Sequence, residues 1–420
     1  MPKRHHTSIA ILILIVASLL YVYEFYLRVI PSVITQELMH DLSLNASQLG
    51  FISSLFYLSY TIMQIPAGLL VDRFGPRRLL SFATLICAFG TIFSAIATDG
   101  SLAGISRFLI GFGASFAYAC PLIVAKYWFP PQRFAMIGGC VQTLGAMGAI
   151  IGNEPVAYLT NQIGWRLACM YSGVFGLFLA IIMWLIVRDR PTHSPRHHYQ
   201  IKQMSEISRL QTVMKNPQTW CIAVVGLCYW APMTVFAELW GRSFITQIHH
   251  INTEQASIMM CWVWIGVAFG GPFFGWLSNA IKSRKKPIYL SLCIVFFATF
   301  SLIYYPCDSI IWINFCLFLF GFASASQCVT FGIVNDINPK AVVGTAIGLN
   351  NMAVISGGII HQPLVSYLLG KIAITGHLGQ PALYTLADYQ YAFLALPITT
   401  IIGFLICFFF IKETHAKPKF

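Results

Sequence analysis

Apolar runs of about 20 residues recur along the whole chain, from Ile9 to Ile411, with short polar stretches between them. That length carries a helix across a ~30 Å hydrocarbon layer. The runs fall near 9–34, 48–71, 78–97, 102–126, 134–159 and 165–187, and then near 218–245, 255–280, 287–305, 310–335, 341–371 and 388–411. Gly, Pro and Asn punctuate them, as breakers between helices do. The pattern predicts an all-α integral membrane protein of 12 transmembrane helices. A polar, basic, His-rich stretch bounded by prolines interrupts the series, which predicts a linker over 188–217 joining a six-helix bundle at 1–187 to a second at 218–420.

An internal repeat supports the division. Sliding the chain by 207 residues places Asn45 on Asn252, Gln48 on Gln255, Gly68 on Gly275 and Arg77 on Arg284 without a gap. Further on, Phe108, Leu109 and Gly111 fall on Phe318, Leu319 and Gly321 at an offset of 210, and Pro131 and Pro155 fall on Pro339 and Pro363 at 208. Two parallel, pseudo-symmetric halves are the arrangement in which a binding site lies near the bilayer midplane and opens to each side in turn.

Composition agrees with burial in lipid: 57% of residues are hydrophobic and only 10% charged, too little polar surface for a water-soluble globule of 420 residues. The net charge of +12 raises the question of nucleic acid, but the distribution of Lys and Arg answers it. If the N-terminus is inside, 21 of the 26 basic residues fall on the same side. The exceptions are Arg28, Arg107, Arg166, Arg242 and Lys371, and the opposite loops carry acids such as Glu37, Asp41 and Asp99. The positive-inside rule then places both termini in the cytoplasm and reads the basic charge as topology rather than as a nucleic-acid footprint. The 12 cysteines lie mostly within apolar runs and form no CxxC pair, so no metal site is expected. No phosphate-binding GxxxxGK[ST] loop and no HExxH or GxSxG pattern occurs, which argues against ATP drive and hydrolytic chemistry. A transporter without a cofactor, driven by an ion or solute gradient, is the expectation, not an enzyme.

The loop after the second run reads Gly68-Leu-Leu-Val-Asp72-Arg73-Phe-Gly75-Pro-Arg77-Arg78, with a degenerate copy at Gly275 to Lys286. It resembles the signature of the major facilitator superfamily (MFS), and the resemblance extends over the chain through its spans, repeat and central loop. In that reading Gly68 permits close helix approach, while Asp72 pairs with arginines or caps a neighbouring helix, locking one face of the protein. Ser106-Arg107-Phe-Leu-Ile-Gly111-Phe-Gly113 is similar to the family's second motif, whose arginine is associated with proton coupling; placement of Arg107 at the outer interface is the competing account. The fifth run, Gly145-Ala-Met-Gly148-Ala-Ile-Ile-Gly152-Asn153-Glu154-Pro155, departs from the family's antiporter motif, because Glu154 separates the glycine ladder from the proline. This favours uptake over drug efflux.

Charges within the membrane cost at least ~2.5 kcal/mol and persist where they pair or function. Glu24 and Arg28 are four residues apart and share a helix face, as a structural ion pair or as a site in which Arg28 holds a substrate carboxylate while Glu24, alone or with Glu154, binds an ammonium group or a proton. Glu238 corresponds to Pro31 at the 207 offset, close to the level of Arg28, although an outer-end charge reaching water accounts for it equally. His361 and Gln362 correspond to Asn153 and Glu154, which makes His361 a candidate for proton coupling beside Glu24, Glu154 and Arg107. By resemblance to the family, Tyr57, Gln64, Tyr118, Gln142, Trp230 and Asn351 lie on helices that line the cavity.

The first run, Tyr21-Val-Tyr-Glu24-Phe-Tyr-Leu-Arg28, with Met63-Gln64-Ile-Pro66-Ala-Gly68, is similar to a branch found in intracellular Gram-negative pathogens. Some intraphagosomal transporters of that branch take up amino acids or nucleosides. The expectation is a monomeric inner-membrane transporter that uses the proton gradient to import a small amino-acid-like or carboxylate-bearing solute by alternating access. Export or exchange of organic anions such as siderophores is the alternative, and a solute sensor that does not transport is a third.

Overall fold

The computed structural model describes residues 2–129, 134–189, 206–305, 307–339, 342–372 and 384–416, and only the backbone at 2–7, 68, 69, 72, 134–136, 206, 207 and 372. The first half consists of α1 (Pro2–Val33), α2 (Thr35–Asp41), α3 (Ala46–Phe74), α4 (Pro76–Ala95), α5 (Gly100–Ala114), α6 (Ala119–Trp128), α7 (Phe134–Ile163) and α8 (Trp165–Ile186). A short helix, α9 (Glu206–Met214), precedes α10 (Pro217–Val235), a π-helical turn (Phe236–Trp240) and α11 (Gly241–Ile248). The second half continues with α12 (Thr253–Ala280), α13 (Lys285–Tyr304), α14 (Ile310–Ser324), a 3-10 turn (Ala325–Gln327), α15 (Cys328–Ile337), α16 (Val343–Ile372), α17 (Leu386–Ala392) and α18 (Ala395–Phe409). Among the described residues, ten stretches of helix are long and apolar enough to cross a membrane, and α3 and α7, also long, pack among them. The fold is the expected one, 12 spans in two six-helix halves.

Helices start where a polar residue precedes an apolar run. Asn45 accepts from the Gln48 amide at 2.9 Å and Asn252, its repeat counterpart, from the Gln255 amide at 2.7 Å. Each satisfies one of the free amides of a helix N-terminus. Between α3 and α4 the chain turns at Gly75, whose φ of +80° suits a residue without a Cβ, and Pro76 then begins α4. Span four is broken between α5 and α6 and span ten at the 3-10 turn, where the sequence pattern predicts single helices. Part of the expected linker is helical as well: α9 buries Val213 against the second half.

The repeat seen in the sequence is a repeat of contacts. A Cβ on Gly111 of α5 would collide with the Phe56 carbonyl of α3, and one on Gly321 of α14 with the Val263 carbonyl of α12. Phe56 and Val263 are themselves 207 residues apart. Backbones approach this closely only where side chains are absent, which is how helices pack tightly in lipid.

The halves meet where α3 packs on α16 and α7 on α12, with α1 against the π-helical turn. At the end of the bundle distant from the chain termini they are tightly joined. A Cβ on Gly50 would meet Ser366 and the Gln362 carbonyl, one on Gly358 would fall on the Tyr57 ring, and Thr35 Oγ1 lies 3.3 Å from the Leu239 carbonyl.

Candidate functional site

Four residues at helical spacing on α1, Tyr21, Glu24, Phe25 and Arg28, turn one face toward the second half. Arg28 Nε donates to Glu24 Oε1 at 2.8 Å, and Nη2 donates to the same oxygen. Both side chains are almost wholly buried, Glu24 at 0% and Arg28 at 2% exposure. The arginine also faces the second half: Nη1 lies 3.9 Å from Glu238 Oε1, and Tyr57 of α3 donates its hydroxyl to Glu238 Oε2. Glu238 is buried to 1% exposure, so it is no outer-end charge reaching water.

Aromatic rings enclose these charges. The Arg28 guanidinium carbon lies 4.5 Å from the Phe25 ring centroid, 5.4 Å from Phe56 and 5.6 Å from Tyr60. Arg107 approaches the Phe56 ring at 4.8 Å and donates from Nη1 to the Leu27 carbonyl at 3.2 Å. It is an interior group, not one snorkelling to the interface. Two carboxylates and two guanidiniums thus balance formally in a low-dielectric interior, where an uncompensated charge is expensive. The pairing is incomplete. Glu24 Oε2, Glu238 Oε1 and Arg107 Nε have no hydrogen-bond partner among the described residues.

Glu238 stands in the middle of the π-helical turn, which follows Pro232 by four residues. Single π turns within α-helices are uncommon and concentrate at functional sites. Here the turn carries the acid that reaches across to α1.

Beside Arg28 is a cavity of about 40 Å³ between the halves, lined by Tyr21, Tyr118, Trp230, Gln327 and Asn351 among others. That volume admits a few water molecules and no organic solute. Tyr21 donates to Gln142 Oε1 at 3.0 Å, and Asn351 Nδ2 donates to Gln64 Oε1 at 2.7 Å.

Of the residues expected from the sequence, Glu24, Arg28, Tyr57 and Glu238 form one cluster, with Arg107 one ring away. Tyr118, Gln142, Trp230 and Asn351 line the adjoining cavity, with Gln64 bonded to Asn351. Glu154 and His361 are elsewhere. Glu154 is half-buried near Cys261 of α12. His361 packs inside the second half, its Nε2 2.7 Å from Thr399 Oγ1 and its Nδ1 3.1 Å from the Gly357 carbonyl. Gln327 and Phe331, which the sequence reading omits, also line the cavity. The available signal for Gln327 was the small-residue run Ala323-Ser-Ala-Ser326, which sits at the helix break matching the one beside Tyr118.

In the signature loop, the Arg77 amide donates to Asp189 Oδ1 at 2.8 Å, and Arg77 Nε donates to the Trp184 carbonyl at 2.8 Å. Arg73 and Arg78 are exposed, and the pairing expected of the Asp72 side chain lies outside the described residues. The second half repeats the arrangement: Glu413 accepts from the amides of Arg284 at 2.8 Å and Lys285 at 3.1 Å, and the Arg284 side chain pairs with Asp336 at 3.0 Å.

Two pseudo-symmetric six-helix halves around a buried charged cluster are the architecture of a membrane transporter. The chain belongs to the Major Facilitator Superfamily, whose description matches residues 12–361. Among curated proteins it is 24% identical to the probable sulfoacetate transporter SauU of Cupriavidus necator, over 86% of this chain and 87% of that protein. It is also 24% identical to the probable galactarate/D-glucarate transporter GudP of Escherichia coli, over 98% and 95%. Among solved structures it resembles a bacterial homolog of the human lysosomal transporter Spinster in an inward-facing, unoccupied conformation, with a TM-score of 0.75 at 17% identity and 95% coverage of both chains. A D-xylose-proton symporter gives a TM-score of 0.75 at 16% identity, covering 97% of this chain and 99% of that one.

Proposed function

We propose that this protein is a secondary active transporter that takes up a small carboxylate-bearing or amino-acid-like solute with protons across the inner membrane, with both termini cytoplasmic. The observation that carries the reading is Arg28: a guanidinium at 2% exposure, on the wall of a cavity between the halves, with a carboxylate from each half beside it. A fixed planar fork of donors suits the bidentate capture of an anion, and its aromatic surround excludes water from the pair. The relatives named for sulfoacetate and for galactarate or D-glucarate support an anionic solute. Glu24 shares Oε1 between two Arg28 nitrogens, so solute arrival at Arg28 would loosen it and let it exchange a proton. Uptake rather than efflux is supported by the Glu154 interruption of the glycine ladder in α7, and the cytoplasmic termini by the placement of 21 of 26 basic residues.

The test is uptake into proteoliposomes under an imposed pH gradient, from a panel of amino acids, short peptides, nucleosides, sulfonates and sugar acids read by mass spectrometry. Accumulation of a carboxylate or sulfonate that collapses with a protonophore is the expected result. Accumulation of a neutral sugar alone, or accumulation indifferent to the protonophore, overturns the reading.

A further inference from the structure

Glu238 is not simply a second counter-ion for Arg28. It stands on the opposite half of the protein, in a π-helical turn, and every charged partner it has is on the first half. Arg28 and Glu24 face it from α1, Tyr57 from α3, and Arg107 acts on it from α5. From α16 the turn is approached by uncharged groups: Gln362 Nε2 donates to the Thr234 carbonyl at 2.7 Å, and Ser366 Oγ accepts from Trp240 Nε1 at 2.8 Å. Beside it, Thr35 Oγ1 lies 3.3 Å from the Leu239 carbonyl, across the same seam. The carboxylate therefore does two things at one place. It occupies part of the field of Arg28, and it ties the halves together at the end distant from the chain termini.

We infer that Glu238 is a second proton-coupling residue beside Glu24: a tethered carboxylate that takes the place of the solute anion at Arg28 and, while ionised, latches that end of the bundle shut. This rests on the reading of Arg28 as the anion clamp. A proton transferred from water to Glu238 Oε1, the oxygen without a hydrogen-bond partner, neutralises the tether. The attraction to Arg28 is lost, and the Tyr57 hydroxyl then faces a weaker acceptor. Arg28 is left with one carboxylate rather than two, and an incoming anion restores the balance. Proton binding and anion binding thus favour one another, and by linkage each strengthens the other equally. Glu24, on the same helix as Arg28, moves with it and ties nothing across the seam.

The latch is read without any solute. A Thr35→Cys variant in proteoliposomes is treated with a membrane-impermeant maleimide, and labelling is read by peptide mass spectrometry as the ratio of modification at position 35 to that at the exposed Cys307, which cancels the loss of reactive thiolate at low pH. Thr35 is buried at 1% exposure, so labelling requires the halves to part. Labelling is expected to rise about tenfold as the pH falls from about 8 to about 5.5, the range over which one proton can be taken up almost stoichiometrically. Adding Glu238→Gln should leave labelling high and within about twofold across that range, the amide being a neutral stand-in for the protonated acid. Labelling indifferent to pH in the Thr35→Cys protein overturns the inference, as does a Glu238→Gln protein that keeps the pH dependence. Should Glu238→Gln fail to fold, Thr35→Cys with Tyr57→Phe serves instead. Loss of the hydroxyl donor to Glu238 should move the midpoint of labelling to higher pH, and an unmoved midpoint overturns the inference. Failure of the solute panel with pH-gated labelling intact would overturn the carboxylate reading of Arg28 and leave the latch standing.

Discussion

Asn351 donates to Gln64 at 2.7 Å, and this hydrogen bond joins the two six-helix halves on the side of the Arg28 cavity nearer the chain termini. The bond is modest, worth about 0.5–1.5 kcal/mol as such bonds usually are, but it lies where the halves must separate for a solute to leave toward that side. Asn351→Leu should shift the protein toward the conformation open at that end by roughly two- to tenfold. Maleimide labelling of a cysteine at Ile355, which lines the same cavity, reports the shift. Unchanged labelling would mean the bond forms only incidentally.

Removing Arg28 strands two buried carboxylates. Arg28→Ala should lower stability by about 3–5 kcal/mol, the usual cost of leaving a buried partner uncompensated, and should reduce solute uptake more than tenfold. Pairing it with Glu24→Gln should recover part of the thermal stability and none of the transport. Melting followed by size-exclusion chromatography, set beside proteoliposome uptake, separates the two effects.

Close backbone approach should be unforgiving at matched positions in both halves. A valine at Gly111 or Gly321 places its Cβ on the facing carbonyl of Phe56 or Val263, and either change should cost about 1–3 kcal/mol or more of folded stability. Gly271, on the face of α12 where nothing lies within 4 Å, should accept alanine with little loss. Comparable yields of folded protein from all three variants would contradict the contact.

At the membrane surface, Glu413 lies beyond α18 and reports on pH. Burial raises its carboxyl, but the Ser283 hydroxyl and the amides of Arg284, His415 and Lys285 outweigh burial and hold it at about 2. The folded value is depressed below the ordinary carboxylate value near 4.5, so the stabilisation is present above that value and is lost as pH falls toward about 2. The difference in melting temperature between the native protein and Glu413→Gln should be largest at neutral pH and shrink between those limits. A difference that does not vary with pH would mean the amides are satisfied equally by the uncharged side chain.

Much of this was legible because hydropathy period and repeat are one-dimensional signals. The spans could be counted, the 207-residue offset placed Glu238 near the level of Arg28, and the spacing of Glu24 and Arg28 required a shared face. What the sequence does not carry is rotation. Nothing in it distinguishes Arg107 facing the interior from Arg107 at the interface, and the bond from Tyr57 to Glu238 depends on a π-helical register that has no compositional mark. His361 and Glu154 illustrate the converse: they occur at the depth expected of functional groups but face other helices.

The paired glycine contacts have a mechanical meaning. Where α5 rests directly on the backbone of α3, and α14 on that of α12, there is no layer of side chains to slide or compress. Each half is stiff along those lines. The seam between the halves has close approaches too, at Gly50 and Gly358, but there the nearest facing atoms belong to the side chains of Ser366 and Tyr57, which can turn away; on the proposed mechanism each half would therefore swing as a single lever.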